Sequence, residues 1–525
     1  MAALWLVPTL HAQPLPGQIV RDSEHPSWLK RHGGEHVFLV GPGDPEDFLY
    51  RGERLPSGRR VGDQAQIIQR LAKLGGNTLY VQAVRSHGGD GASDHNPFTN
   101  SDPAQGIDPD ILEQWSEWIE LADAAGVVIC FFIYDDSARI WDLSEGVGAE
   151  ERAFVEALAN ALEEHPNLIV FVSEESEEAR SPEIARELAQ IFRDADDHDH
   201  LLGDHHWSGN TFVSWNNTSV LEVFGMQFNV EGDQIHHEAV AAHIKGTLAG
   251  PQDFGWLAIY AEAFATSIGD TTTRRHFIWD AALGGLQSMV FGVEVAGTPD
   301  EQLEQCRVLQ EFMEDTDFWT MSPADQRAAG GTRWVLGNAN DSIIAYSRDP
   351  IAPLGLDGLP ATTYDLLWVD CVTGARATEF SVHTTSGTNY FTRPAGIGAE
   401  CAVSVRRSWV DLGAGHPGLF GQPHLQGTGP LESGSNVSLQ VTDALPLAPS
   451  TLVIGLENAQ LPFKGGTLLP DPVWLVPFLI GVTGNASLQA VWPDGLPAGV
   501  PLYVQVWMAE GLGFSATNAV VETSN

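Results

Sequence analysis

Short apolar runs alternate with longer amphipathic segments from Val37 to about Ala296, and this alternation dominates the first part of the sequence. The runs predict eight strands: VFLVG (37–41), NTLYVQAV (77–84), VVICFFIY (127–134), NLIVFVS (167–173), LLGD (201–204), LEVFGMQF (221–228), WLAIYAEAF (256–264) and SMVFGVEV (288–295). Segments between them, such as 63–75, 110–126, 151–165 and 181–195, have apolar residues at helical spacing, and most begin at Asp, Ser or Pro. The pattern predicts repeated β–α units.

Eight strands with intervening helices over about 260–300 residues are typical of a closed (β/α)8 barrel. The predicted fold class is therefore α/β, with a TIM barrel over 21–322. An open doubly wound sheet is the alternative. It is disfavoured because GPGDPEDF follows the first strand, where that fold carries a Gly-rich phosphate loop.

The length and composition of the apolar runs change after about Ser322. From Gly331 the apolar runs are short and rich in β-branched residues, with turn residues every 8–12 positions or so, which predicts a β-sandwich over 326–412. A Gly/Pro-rich segment, 413–435, is predicted to be a linker. Runs such as STLVIGLE and PLYVQVWMAE then predict a second β-sandwich over 436–525.

The charge of the chain narrows the possible functions. The 525 residues include 69 Asp or Glu and 27 Lys or Arg, a formal net charge of −42. Phosphate backbones and anionic lipid heads are repelled by such a chain, which argues against nucleic acid and membrane as partners. No apolar run reaches the roughly 18 residues of a membrane span.

The first residues and the cysteines of the chain indicate in which cellular compartment the protein works. The stretch MAALWLVPTLHA (1–12) has the apolar character of a secretory signal that ends near Ala12, and a frayed native N-terminus is the alternative. Cys371 and Cys401 fall in one β-rich stretch and could pair in an exported protein. We therefore expect a secreted or periplasmic protein.

Polar residues end each apolar run. In a (β/α)8 barrel the reactive groups stand at the carboxyl ends of the strands, so these residues are the candidates for a site. The candidates, in chain order, are Arg85, His87, Asp136, Arg139, Glu174, Glu175, His205, His206, Gln227, Asn229, Glu262 and Glu294. Each of them alone could simply be a solvent-exposed polar residue of a loop. Their concentration on one rim of the predicted barrel favours a functional site there.

Three carboxylates stand out among these candidates. Glu262 follows the apolar run WLAIYA, where little else is polar, although an ion pair in the barrel mouth would also explain it. Glu174 and Glu175 close the fourth run, and at least one should face the mouth, because neighbouring strand residues face opposite sides. Retaining glycoside cleavage needs two carboxyls about 5–5.5 Å apart. Carboxylates on strands 4 and 7 can face each other in such a barrel.

The segment HPNLIVFVSEE (165–175) resembles the fourth strand of clan-A glycoside hydrolases, in which an HPN start leads to an Asn-Glu pair. The resemblance implies that Glu175 is the acid/base, that Glu174 replaces the Asn that contacts the sugar 2-hydroxyl, and that Glu262 is the nucleophile. A register shifted by one residue would instead make Glu174 the acid.

The opening HPSWLKRHGGEHVFLVG (25–41), the later RRHFIWDAALGG (274–285) and WVDCVTG (368–374) are similar to bacterial apiosidase-like glycoside hydrolases, whose barrel carries a small C-terminal sandwich. The resemblance covers roughly residues 20–410. It implies a glycosidase, without a cofactor, that acts on a polysaccharide or oligosaccharide. The sugar, its linkage, endo or exo action and the oligomeric state stay open.

Two other classes of function stay open. One class is a metal-dependent hydrolase or deacetylase, in which His205 and His206, with Asp204, could ligate the metal. Adjacent strand residues face opposite sides, so only one of the two histidines would enter the barrel mouth, and a hydrogen bond from that histidine to a sugar is favoured. A catalytically inactive carbohydrate-binding protein is the third class. Arg85 and Arg139 could hold an anionic sugar or brace a carboxylate, with bracing slightly favoured, and Trp207 could stack on a sugar ring.

Overall fold

The computed structural model describes the chain except for residues 1–12, 43–47, 207–219, 229–236, 239–240, 242–256, 264–269, 291–294, 339–341, 432, 494, 498, 512 and 525. At 228, 260–263, 288–290 and 381 it describes the backbone alone. The chain divides into two compact units. The first runs to Pro323 and includes Cys371–Gly374, and the second consists of Ala324–Asp370 and Ala375–Asn525.

The first unit contains short strands and the strands of a large parallel sheet. Its strands are β1 (Ile19–Arg21), β2 (Leu29–Arg31), β3 (His36–Val37), β4 (Val40–Pro42), β5 (Glu53–Arg54), β6 (Arg60–Val61), β7 (Thr78–Val84), β8 (Val128–Tyr134), β9 (Leu168–Ser173), β10 (Leu201–His206), β11 (Val223–Phe228), β12 (Leu257–Ala263), β13 (Gln287–Val290) and β14 (Ser322–Pro323). β4 and β7 to β13 correspond to the eight predicted runs.

The helices of this unit follow the predicted segments closely. They are α1 (Gln64–Leu74), α2 (Pro109–Ala124), α3 (Ala149–Leu162), α4 (Pro182–Ala195), α5 (Thr271–Leu283) and α6 (Asp300–Glu314). Side-chain caps explain several starts, because Asp108 accepts from Asp110 N–H and Ser181 from Ile184 N–H, each before a proline. In the described ranges, no helix is long and apolar enough to cross a membrane.

The parallel sheet has the order β4-β13-β12-β11-β10-β9-β8-β7. Asn77 links the two end strands, because its N–H donates to the Val40 carbonyl oxygen (2.9 Å) and its Oδ1 accepts from the Val40 N–H (2.9 Å). Eight parallel strands are therefore confirmed, with helices described in the connections from β4 to β10 and from β12 to β13. The interior is filled by buried side chains such as Tyr80, Phe132, Phe171 and Ile259.

The second unit is all β. Its strands are β15 (Ala328–Gly330), β16 (Thr332–Gly337), β17 (Ser342–Ser347), β18 (Leu354–Leu359), β19 (Thr363–Asp370), β20 (Arg376–His383), β21 (Gly387–Phe391), β22 (Cys401–Arg407), β23 (Val410–Asp411), β24 (His424–Thr428), β25 (Asn436–Thr442), β26 (Pro449–Gly455), β27 (Asn458–Phe463), β28 (Gly466–Pro470), β29 (Trp474–Leu479), β30 (Ala486–Val491), β31 (Pro501–Glu510), β32 (Gly513–Ala516) and β33 (Val520–Thr523).

These strands form two modules with separate cores. In the first, β16, β17, β22, β19 and β20 adjoin in that order, and β15, β18 and β21 form another sheet. In the second, one sheet has the order β23-β33-β31-β26-β29 with β32 beside β31, another has the order β24-β25-β30, and β27 and β28 form a hairpin. Trp368 lies in the first core and Trp409 in the second.

Two sequence expectations need correction here. The predicted linker 413–435 contains β24, which pairs with β25, so this part belongs to the last β-module. Turn-forming residues indicated a linker there, but Leu425 of β24 is fully buried. Cys371 and Cys401 are both buried thiols and form no disulfide.

Candidate active site

Nine of the predicted site residues are described with their side chains. They are Arg85, His87, Asp136, Arg139, Glu174, Glu175, His205, His206 and Gln227. Trp207, Asn229 and Glu294 lie outside the described residues, and Glu262 is described through its backbone alone.

Glu174 is enclosed by polar groups from β7 and β8. It directly follows β9, its N–H donates to the Tyr134 carbonyl oxygen (3.0 Å), and it is 8% exposed. The Gln82 amide donates to Glu174 Oε2 and to Asp135 Oδ1 (2.8 Å), so one side chain bridges two carboxyl groups. The interaction with the Glu174 side chain opposes the rise in the pKa of Asp135 that burial causes. Glu174 thus belongs to a shared, buried network.

Arg85 braces this network. It is 3% exposed, and its Nε lies 3.3 Å from Asp135 Oδ2. Burial raises the pKa of Asp135, and the charge of Arg85 opposes that rise. A Cβ at Gly89 would lie 2.8 Å from Asp135 Oδ2, so glycine lets this loop approach. The neighbouring Asp90 N–H donates to the same oxygen (2.9 Å).

Glu175 lies one residue further on, in a turn that β10 holds. Its φ is 36°, in the left-handed region that non-glycine residues seldom adopt. Its N–H donates to His205 Nδ1 (3.4 Å), and the Ser176 hydroxyl donates to Asp204 Oδ2 (2.6 Å). Two side chains of β10 therefore fix the backbone that carries Glu175.

The Glu175 side chain hydrogen-bonds to Gln227 of β11. Burial raises the pKa of Glu175 to about 7, the hydrogen bond from Gln227 opposes the rise, and the charges of Glu178 and Asp136 add to it. Near neutral pH this group can therefore both give and take a proton.

Gln227 also connects this carboxyl group to β12. In the parallel ladder between β11 and β12, Gln227 is paired with Glu262, just after a register shift between Met226 and Gln227. The backbone position of the predicted nucleophile is therefore next to the residue that contacts the predicted acid.

Asp136 and Glu178 lie close to Glu175. One carboxylate oxygen of each of the three residues lies within 4.8 Å of the others. Burial raises the pKa of Asp136 to about 7, and the neighbouring charge of Asp135 adds to the rise. This arrangement concentrates negative charge beside Glu175.

His205 and His206 have different surroundings. The ring of His205 is edge-on to Phe132, while His206 Nδ1 lies 3.8 Å from Glu177 Oε1 and its ring contacts Phe224. Burial lowers the pKa of His205 to about 3 and that of His206 to about 4. Asp204, fully buried, has its pKa raised to about 8 by burial. Among described residues, these three form no group with metal-ligand spacing.

His87 and Arg139 meet on the outer rim. The Arg139 N–H donates to the His87 carbonyl oxygen (3.0 Å), and the Arg139 side chain, 47% exposed, lies 3.7 Å from Asp142. Arg139 therefore remains accessible to a ligand, whereas Arg85 does not.

Sequence reasoning missed three residues of this site: Gln82, Ser176 and Glu178. Gln82 had a detectable signal, because it is the one strongly polar side chain inside the run TLYVQAV. Ser176 and Glu178 lie in a helical turn after Glu175, where the strand pattern gives no guidance.

Two solved structures of proteins named glycoside hydrolases have a fold similar to that of this chain. A glycoside hydrolase family 5 protein from Bacteroides vulgatus is similar over 75% of this chain and 94% of its own, with 15% identity and a TM-score of 0.57. Another structure, named a glycoside hydrolase, is similar over 75% of this chain and 98% of its own, with 16% identity and a TM-score of 0.53. At such identities the shared property is the fold.

No protein-family model and no curated protein matches this sequence.

Proposed function

We propose that this protein is a glycoside hydrolase. It uses two of its own carboxyl groups, those of Glu175 and Glu262, to cleave a polysaccharide or oligosaccharide. One observation carries the proposal: the pKa of the Glu175 carboxyl group is raised to about 7, and this group hydrogen-bonds to Gln227. Gln227 is in turn paired with Glu262 in the ladder between β11 and β12. The fold shared with glycoside hydrolases supports it.

In this mechanism Glu175 is the acid and then the base. It protonates the leaving oxygen of the glycosidic bond, and its carboxylate then takes a proton from the water that releases the product. A pKa near the working pH suits both steps. Glu174 is the weaker candidate, because the Gln82 amide already donates to its Oε2 and Asp135 interacts with its side chain.

Glu262 is the proposed nucleophile. Its carboxylate would form a covalent bond to the sugar carbon as the leaving group departs, and water would then break that bond with net retention. The pairing of Glu262 with Gln227 in the β11–β12 ladder supports this role.

Substrate contacts and localisation are further parts of the proposal. The proposed substrate-binding residues are His87, Asp136, Arg139, His205, His206, Trp207, Gln227, Asn229 and Glu294. Glu174 takes the position of the sugar-binding Asn of the clan. Arg85 belongs to the predicted set as well, and its burial against Asp135 favours the bracing role over a substrate contact. We also propose export, which the acidic composition and the apolar N-terminal stretch support. The proposed substrate is a β-linked or otherwise plant- or algal-type polysaccharide or oligosaccharide.

The test is hydrolysis of a polysaccharide panel by the purified protein and by Glu262→Gln, each with and without a chelator. We expect release of reducing ends by the wild type, unaffected by the chelator, and none by the variant. Activity lost on chelation and restored by zinc would favour a metal-dependent hydrolase or deacetylase. Retention of a polysaccharide without cleavage would favour an inactive binding protein.

A further inference from the structure

The last β-module carries an open apolar cleft of about 970 Å³. Its floor is the outer face of β29, β26 and β31, including Leu475, Val453 and Trp507, and the β27–β28 hairpin adds Phe463 to its wall. The volume is in the range of pockets that hold small molecules, about 300–1,000 Å³.

The side chains of this cleft are mostly hydrocarbon and aromatic, and several remain exposed. Leu475 is 60% exposed and Phe463 is 40% exposed. Ser450 and Thr451 supply the hydroxyl groups of the lining. Sugars need many polar partners, so this lining favours an apolar body instead.

One cation stands at this cleft. Lys464 is the only Lys or Arg between residues 413 and 525, in a chain of net charge −42. Its Nζ lies 4.6 Å from the Phe514 ring centroid and 5.9 Å from that of Phe463, and both rings line the cleft. Within the described part of the chain, no carboxylate forms an ion pair with Lys464. The single positive charge is thus held beside the apolar surface.

We propose that this cleft binds an amphipathic molecule with an apolar chain or ring and one carboxylate or sulfate group. The apolar body would cover Leu475, Val453 and Trp507, and the anion would pair with Lys464. Such a ligand matches the two chemistries of the cleft, and its binding does not depend on the glycosidase proposal.

The test is calorimetric titration of the full chain with dodecanoate below its micellar concentration, beside dodecanol and dodecyltrimethylammonium. We expect about one dodecanoate per chain, and binding of the two other probes weaker by roughly ten-fold or more. No heat of binding with dodecanoate would overturn the proposal. Equal binding of dodecanol would overturn the role of the anion.

Three variants locate the site. Lys464→Asn removes the charge at a position whose φ is 48°, which asparagine tolerates, and Leu475→Asp places a charge on an exposed edge strand. We expect each to weaken dodecanoate binding by roughly ten-fold or more. Ile351→Asp, at a 91% exposed position of the other β-module, is the control and should bind as the wild type does. Wild-type affinity in Leu475→Asp would place the ligand elsewhere.

Discussion

Two adjacent glutamates, Glu174 and Glu175, have different chemical surroundings. Glu174 shares a buried polar network with Asp135 and Gln82, whereas Glu175 lies in a left-handed turn and interacts with Gln227. Sequence alternation could not separate them, because β9 ends at Ser173 and the rule that neighbouring residues face opposite sides ends with the strand.

The acid role of Glu175 predicts a pH dependence. The protonated form is required and its pKa is raised to about 7, so kcat/KM should fall as the pH rises past about 7. Asp136→Asn removes a neighbouring negative charge, which lowers the pKa of Glu175 and should move this alkaline limb to lower pH. The measurement is the pH profile of kcat/KM for both proteins.

Asp142→Asn is the control for that profile. Asp142 is an exposed rim carboxylate paired with Arg139, and its removal should leave the limb in place. An equal shift in both variants would show that the limb reports general rim charge rather than Glu175.

The buried ion pair between Arg85 and Asp135 predicts a difference in stability. Arg85→Met removes the cationic partner of the buried Asp135 carboxylate and should lower the free energy of unfolding by about 3–5 kcal/mol. Arg139→Met removes a half-exposed arginine and should cost about 0–1 kcal/mol. Denaturant unfolding of the two variants checks this. Equal losses would contradict the bracing role of Arg85.

At the scale of elements, hydrophobic periodicity predicted the parallel sheet and its helices well. The predicted helix 181–195 is α4 (Pro182–Ala195), since Ser181 caps a strongly amphipathic segment. Periodicity could not reveal that β24 lies inside a Gly/Pro-rich segment, because its burial comes from pairing with β25, a contact that local composition does not encode.

The buried Asp204, near the end of β10, predicts that the stability of the protein depends on pH. The pKa of Asp204 in the folded protein is about 8, above its ordinary value of 3.8, so the folded state binds more protons than the unfolded state between these values. Stability therefore falls as the pH rises through that window, with a slope of up to about 1.4 kcal/mol per pH unit from this group.

Asp204→Asn should remove this contribution while an amide oxygen can still accept from Ser176. We expect the melting temperature of the variant to change less between pH 5 and pH 8 or so than that of the wild type. The measurement is calorimetry across this range. An unchanged slope would contradict the assignment of the proton to Asp204.

At the scale of the whole molecule, the chain combines a fold shared with glycoside hydrolases and an all-β unit with its own cleft. The short β-branched runs predicted that the C-terminal region consists of strands, as it does. The sequence could not predict the cleft, because Phe463, Phe514 and Lys464 come together through hairpin geometry rather than through sequence spacing.

The most direct test of the central claim, that Glu175 is the acid/base, is azide rescue of Glu175→Ala and Glu174→Ala on an aryl glycoside with a good leaving group. Without the acid/base, the glycosyl-enzyme accumulates, and azide should attack it. Glu175→Ala should lose about 10²–10⁴-fold on natural substrate, less on the aryl glycoside, and form a glycosyl azide. Azide rescue of Glu174→Ala, with none for Glu175→Ala, would contradict the account.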